Sequence, residues 1–325
     1  MQDFDVALFS RPPSFILERA EPICRLHKIY EATDPQAALD AVKDRIRGIL
    51  SYSLVKPLDG PFLSQMRNLE IIAHHGVGYD AIDAKWCGAH NIIVTHTPDV
   101  LNEEVADLAL GLLLATVRQL PQADAYLRAG KWAQKSFPLT ASLQGRKLGI
   151  FGLGRIGKAI AKRAESFGLT IAYHNRKPVP DSPYTYYPSL LELATACDIL
   201  LLIAPGTAET RHIVNAPILK ALSPDGIFIN VARGSLVDES ALITALRDGT
   251  ILAAGLDVYD NEPNPNPEFA TLPNTVLLPH VGSASLPTRQ AMGQLVIDNL
   301  KSFIEGKGPV TPVPETPWQA AKKAG

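Results

Sequence analysis

Three glycines set just after a short apolar run constrain this chain more than any other feature. Lys147–Phe151 reads as a buried strand, and Gly152-Leu153-Gly154-Arg155-Ile156-Gly157 follows it and opens an amphipathic stretch, Arg155–Ser166. Each glycine has a mechanical reading. Gly152 permits a tight turn, Gly154 lets backbone approach a pyrophosphate, and Gly157 lets the helix pack closely on the strand. Phosphates would then lie at a helix N-terminus, where free N–H groups and the helix dipole favour anions. A glycine-rich turn without a ligand is the bland alternative, and the strand before and the helix after count against it.

Short apolar runs alternate with helical patterns along the whole chain, which predicts an α/β fold with parallel sheets. Early strands are expected at Val6–Phe9, Ile49–Leu54, Leu69–Ala73 and Ile92–Thr95, with helices at Pro35–Asp44 and Asp59–Met66 between them. A long helix is expected from Asn102, with Glu103 and Glu104 in its first turn, to about Arg118. A second series follows: strands at Lys147–Phe151, Thr170–Tyr173, Asp198–Ile203, Ile227–Asn230, Ala253–Asp257 and Val276–Leu278, six in all, as a doubly wound dinucleotide domain requires. A last helix spans Leu286–Ile304, and the Pro-rich segment from Pro309 reads as a surface arm. The pattern predicts two Rossmann/flavodoxin-like lobes: a cofactor domain over 101–284 inserted into a discontinuous substrate domain of 1–100 and 285–325, with the active site in the cleft.

Composition excludes several classes. With 325 residues, two domains are the better expectation. A formal net charge of −2, without a basic stretch, argues against nucleic-acid partners. The longest apolar run, Leu108–Val117, is far short of a membrane span. Cys24, Cys87 and Cys197 are too few and too scattered for a disulfide framework or a metal cluster. Met1–Asp5 has no signal-peptide character, so a cytoplasmic location is the expectation.

The end of the second strand of the glycine-bearing series selects the dinucleotide. Domains that prefer NAD place Asp or Glu there for the ribose 2′-OH. Here the strand runs into His174-Asn175-Arg176-Lys177. A carboxylate would repel a 2′-phosphate, whereas a guanidinium can grip one bidentately. Arg176 is therefore the expected 2′-phosphate ligand, assisted by Asn175 and Lys177, and NADP(H) is the preferred cofactor with NAD(H) admissible. Two solvated cations after a strand are the alternative.

Three further segments follow predicted strands at the end where open α/β sheets place ligands. They are Val231-Ala232-Arg233-Gly234-Ser235-Leu236-Val237-Asp238-Glu239, Gly255-Leu256-Asp257-Val258-Tyr259-Asp260-Asn261-Glu262-Pro263 and Pro279-His280-Val281-Gly282-Ser283. With His75-Gly76-Val77-Gly78-Tyr79-Asp80 and the Asn102–Gly111 segment, they make the sequence resemble the D-isomer-specific 2-hydroxyacid dehydrogenases over nearly its whole length. The branch most similar contains the glyoxylate/hydroxypyruvate reductases and the plant-type hydroxyphenylpyruvate reductases. The resemblance implies reduction of a small 2-keto acid to the D-2-hydroxy acid, a homodimer joined through cofactor domains, and Arg233, Glu262 and His280 as the catalytic set.

The chemistry suits those residue types. A guanidinium at Arg233 can pair with substrate carboxylate and carbonyl oxygen together and stabilise a developing oxyanion. His280 would be the acid in reduction and the base in oxidation, with Glu262 orienting its ring and favouring its charged form. Singly, each has a plain structural alternative: an ion pair at Arg233, a loop acid at Glu262, a turn residue at His280. The resemblance also implies that the Val77 and Gly78 amides bind the substrate carboxylate. It implies too that Asp257 holds the nicotinamide carboxamide, with Ser283 beside the ring. Val231 and Ala232 fall in the cofactor-facing segment. Val105 packs on the nicotinamide or is an ordinary core valine; Thr207 and Thr210 line the adenosine side; Leu54 borders the substrate side chain. His74, His75 and His96 lack a metal-ligand pattern and read as structural, and Trp132 is either an interface aromatic or a packing residue. A phosphite-type dehydrogenase and a dinucleotide-sensing corepressor share enough of this pattern to stand as alternatives.

Overall fold

The computed structural model describes residues 3–52 and 57–318. The chain divides into two compact units, Met1–Leu101 with Ser285–Gly325, and Asn102–Ala284. The first unit begins β1 (Asp5–Leu8), α1 (Ser14–Ala20), β2 (Arg25–Lys28), α2 (Pro35–Asp40) and β3 (Ile46–Ser51), then α3 (Gly60–Leu63), β4 (Ile71–His74), α4 (Ala84–Ala89) and β5 (Ile93–Thr95). Its parallel sheet has the order β2-β1-β3-β4-β5. That is the flavodoxin-like order. The inner strands carry almost only buried residues, as a parallel sheet covered on both faces requires. Asp34, Asp59 and Asp83 each cap the helix that follows, accepting from backbone N–H groups of its first turn.

The second unit opens with α5 (Asn102–Arg118) and α6 (Leu120–Arg128). It continues through β6 (Lys147–Phe151), α7 (Arg155–Glu165), β7 (Thr170–His174), β8 (Thr185–Tyr186), α8 (Leu190–Ala196), β9 (Ile199–Leu202) and α9 (Ala216–Ala221). β10 (Ile227–Asn230), α10 (Glu239–Arg247), β11 (Ala253–Leu256) and β12 (Thr275–Leu277) complete it. All seven strands are parallel, in the order β12-β11-β10-β9-β6-β7-β8. This is the doubly wound Rossmann order, whose topological switch lies between β6 and β9. Apolar clusters fill both faces, one around Leu200, Phe228 and Leu242, the other around Leu113, Ile150 and Ile229. The chain then returns to the first unit as α11 (Leu286–Ile304), which packs Val296, Ile297 and Leu300 with Ile16 and Leu50.

The α/β class and the two doubly wound sheets agree with the sequence expectation, and several details depart from it. β2 and β8 were not anticipated. β2 is an edge strand with the sequence Arg-Leu-His-Lys, whose cations mask its alternation, and β8 is only two residues long. The β3 strand starts at Ile46 and ends at Ser51, so it stops short of Leu54, which lies outside the described residues. α2 and α3 are shorter than expected.

The Pro-rich segment is not a surface arm in its described part. Val313 and Thr316 are buried, Thr95 and Pro312 form an antiparallel bridge, and Val313 donates to the Val94 carbonyl. The physical reason is that β5 is an edge strand with unpaired backbone groups, and this segment satisfies them.

Cys24, Cys87 and Cys197 are buried and free, and burial pushes each thiol up to about 12, so they pack as small apolar groups. Among the described residues no helix is long and apolar enough to cross a membrane, and no cluster of three His, Cys, Asp or Glu could hold a metal.

Candidate active site

The glycine turn behaves as its spacing suggests. Gly152 has φ 110°, and a Cβ there would meet the Ala204 amide nitrogen at 2.7 Å, so the turn tolerates only glycine. A Cβ on Gly157 would lie 2.2 Å from the Gly152 carbonyl oxygen, which is the close helix–strand contact. Gly154 has open space where its Cβ would be, leaving backbone accessible at the start of α7, beside Arg155 and Ile156.

At the end of β7, Asn175 is tied to the glycine turn. Its Oδ1 accepts from the Leu153 amide at 2.7 Å, so it braces the glycine turn. Arg176 and Lys177 are exposed, with no ion-pair partner among the described residues. Thr207 and Thr210 follow β9 and bond chiefly to one another: Thr207 N–H donates to Thr210 Oγ1 at 2.8 Å, closing a reciprocal cap.

The three catalytic candidates lie at the C-terminal ends of β10, β11 and β12, each position set by backbone bonds. Asn230 ends β10 and is 1% exposed. Its Nδ2 donates to the Arg233 carbonyl at 2.9 Å and its Oδ1 accepts from the Ala232 amide at 3.0 Å. Val231 and Ala232 are buried beside it, and the Arg233 guanidinium donates to the Ala232 carbonyl at 2.7 Å. Gly234 lies so close to the chain after β11 that a Cβ would overlap the Tyr259 carbonyl carbon at 1.8 Å. Only glycine lets the Arg233 and Glu262 segments run side by side.

Glu262 is held at both carboxylate oxygens. Oε1 accepts from the Tyr259 amide at 3.0 Å and Oε2 accepts from His280 Nδ1–H at 2.6 Å. Burial works to raise its pKa; the His280 hydrogen bond and charge, the Tyr259 amide and the Arg233 guanidinium outweigh it, and the carboxyl lies below its ordinary value. Glu262 is therefore an ionised acceptor, which puts a proton on His280 Nδ1 and leaves Nε2 as the nitrogen available for chemistry.

His280 has φ 53° and anchors its own N–H on the Asp257 carbonyl at 2.8 Å. The Asp257 side chain, 1% exposed, accepts from the Val281 and Gly282 amides at 2.7 and 2.8 Å. Burial raises its pKa against those two bonds. The use the geometry gives Asp257 is thus to clamp the turn that carries His280. Val105, on α5, is buried, and a Cβ on Gly282 would touch its Cγ2 at 3.7 Å; Ser283 follows, half-buried.

Two positioning residues escaped the sequence reading. Asn230 is one, and a single polar residue closing the apolar strand Ile-Phe-Ile-Asn was its signal. Tyr259 is the other: its hydroxyl donates to the Leu278 carbonyl at 3.0 Å and ties the end of β12 to β11. Burial pushes that phenol up to about 12, so it stays a donor.

In the first unit, Val77 and Gly78 form a turn after β4. His74 and His96 bond to its carbonyls, which gives two of the three histidines read as structural a defined task. His75 is buried with both ring nitrogens unpartnered among the described residues, and burial, then the Arg289 charge, lower its pKa to about 4. Trp132 is 67% exposed, so it is not a packing residue within its own chain.

Comparison with known proteins identifies the family. Residues 110–282 match the family model described as D-isomer specific 2-hydroxyacid dehydrogenase, NAD binding domain. A glyoxylate/hydroxypyruvate reductase of Arabidopsis thaliana is 42% identical over 96% of this chain and 100% of its own. A 2-ketogluconate reductase of Gluconobacter oxydans is 40% identical over 94% and 99%. Among solved structures, an NADPH-dependent glyoxylate/hydroxypyruvate reductase from Sinorhizobium meliloti, in complex with NADP and malonate, is 46% identical. It covers 98% of this chain and 99% of its own, with a TM-score of 0.90. The chain belongs to the D-isomer-specific 2-hydroxyacid dehydrogenase family.

Proposed function

We propose that this chain is an NADPH-preferring reductase of small 2-keto acids, with glyoxylate, hydroxypyruvate and hydroxyphenylpyruvate as the substrates to try first. The observation that carries the reading is the Glu262–His280 pair at 2.6 Å, with the Arg233 charge acting on the same carboxylate. A bound dihydronicotinamide supplies the hydride. The chain's own residues do the rest. Arg233 holds the substrate carboxylate and carbonyl oxygen and stabilises the charge that grows on that oxygen. His280 delivers a proton from Nε2 while Glu262 keeps Nδ1–H fixed, a contribution typically worth ~10²–10⁴-fold. Asn230 and Asp257 keep the Arg233 and His280 segments in place before the reaction begins.

The cofactor reading rests on chemistry at two places. Gly154 leaves backbone open for a pyrophosphate, and the end of β7 presents Arg176 and Lys177 where an acid would favour NAD. A solved relative named for NADPH dependence, in complex with NADP, supports the same choice. The exposed apolar side chains Leu120, Leu127, Trp132 and Leu139 support a homodimer formed through the second unit. The free buried thiols suit a reducing, cytoplasmic setting.

The deciding experiment follows the loss of NADPH absorbance on adding each of the three keto acids, with NADH run in parallel. Turnover with at least one acid, faster with NADPH, is expected. No oxidation of either dinucleotide would overturn the reading and favour a binding protein.

A further inference from the structure

We propose that His74 and His96 are positioning residues: they lock the Val77–Gly78 turn into a site for a small carboxylate, and the C-terminal segment at Thr311 holds His96 in place. The inference rests on the proposed function for the carboxylate's identity as a 2-keto acid, but its geometry lies entirely within the first unit.

Three consecutive carbonyls of this turn are each held by a donor. Gly76 O accepts from the Thr97 amide at 2.9 Å, Val77 O from His96 Nδ1 at 3.0 Å, and Gly78 O from His74 Nε2 at 3.0 Å. A trans peptide is planar, and its C=O and N–H point in opposite directions. Each held carbonyl therefore fixes its peptide plane and points the next N–H, that of Val77, Gly78 or Tyr79, away from the clamping donor. Among the described residues no acceptor meets the Val77 or Gly78 amides. Successive N–H groups left without a protein acceptor in a turn can form an anion-binding concavity.

Since a carbonyl only accepts, His96 carries its proton on Nδ1 and His74 carries one on Nε2. His74 Nδ1 then accepts from the Ser51 hydroxyl at 3.0 Å, which fixes that ring as well. A Cβ on Gly76 would lie 2.7 Å from His74 Nε2, so the imidazole takes the space that a side chain at 76 would need.

His96 is itself held by the return of the chain. Its N–H donates to the Thr311 carbonyl at 3.2 Å, and Thr311 Oγ1 donates to the His96 carbonyl at 2.6 Å. Thr311 in turn bonds through its N–H and Oγ1 to the fully buried Asn299 on α11, both at 2.8 Å. A continuous path thus runs from α11 through Thr311 and His96 to the Val77 carbonyl, and so to the Gly78 amide.

The test measures KM for the keto acid, KM for NADPH, kcat, malonate binding to the NADP⁺-loaded protein and melting temperature. Misaligning one charge-assisted hydrogen bond should cost about tenfold in affinity. His96→Ala is expected to raise keto-acid KM and malonate Kd about tenfold, with NADPH KM within twofold of wild type. His96→Asn places an N–H near the former Nδ1 and should restore most of that loss; Thr311→Val should show a smaller rise of a few-fold. A lowered melting temperature with unchanged KM and Kd in His96→Ala would overturn the clamp, as would a His96→Asn variant as impaired as the alanine. If His96→Ala does not fold, Thr311→Val and His96→Asn carry the same comparison. Should the wild type bind malonate yet reduce no keto acid, the proposed function fails while the clamp is still judged by malonate Kd. A wild type that binds no carboxylate overturns the clamp directly.

Discussion

His280 shows how much support one half-exposed ring receives. Its backbone is in the left-handed region, its N–H is anchored on Asp257, and Glu262 holds Nδ1 at 2.6 Å. His280→Ala should lower kcat by about 10²-fold or more while leaving the fold intact, because the side chain is half exposed. Near-normal turnover would remove it from the acid/base role. For Arg176 the expected effect is on the cofactor instead. Arg176→Ala should raise KM for NADPH much more than KM for NADH, and equal effects would count against a 2′-phosphate contact.

His75 makes a pH prediction. Its pKa falls from 6.5 to about 4 on folding, so between those values the unfolded chain binds the extra proton. Stability should therefore decline as pH drops through that window, by roughly 3 kcal/mol in total, and level off below it. Urea midpoints measured from pH 7 to 4 should show a shallower decline in His75→Leu; identical profiles would sink the assignment.

At the level of elements, the segment after α11 repays a direct test. Thr316 Oγ1 accepts from the Val94 amide at 2.9 Å and donates to the Val94 carbonyl, while Val313 is fully buried beside β5. Thr316→Val would leave a buried edge-strand N–H without an acceptor. It should cost about 1–3 kcal/mol in chemical denaturation; a change below ~0.5 kcal/mol would show that the tail is not a working part of the sheet. The same element explains a failure of sequence reasoning. Prolines and a polar composition read as an arm, because nothing local reveals that a distant edge strand awaits these particular donors and acceptors. β2 was missed for a related reason: an edge strand keeps cations and so loses the apolar signature that made β9 and β10 plain.

For the whole molecule, the surface of the second unit poses the remaining question. α6 buries none of its residues in its own chain, and Leu127, Trp132 and Leu139 are 57, 67 and 100% exposed. With these side chains exposed along one stretch, the expected cover is a second copy of the chain. Light scattering should give the mass of a dimer, and Trp132→Asp should shift it toward monomer. A wild-type monomer at micromolar concentration would refute this.

Residue order alone settled the fold class, the turn at Gly152 and the close helix packing at Gly157, and the candidacy of Arg233, Glu262 and His280. Those are matters of local spacing and of side-chain chemistry after apolar strands, which a linear reading can follow. Tertiary structure alone decided what braces them. Asp257 under the His280 turn and His96 on the Val77 carbonyl join the ends of neighbouring strands, so their pairing depends on strand order, while Asn230 on the Arg233 carbonyl and His74 on the Gly78 carbonyl depend on how the chain turns after its strand. A polar residue's partners are chosen by strand order and by the turns that follow, and only folding brings them within hydrogen-bond distance.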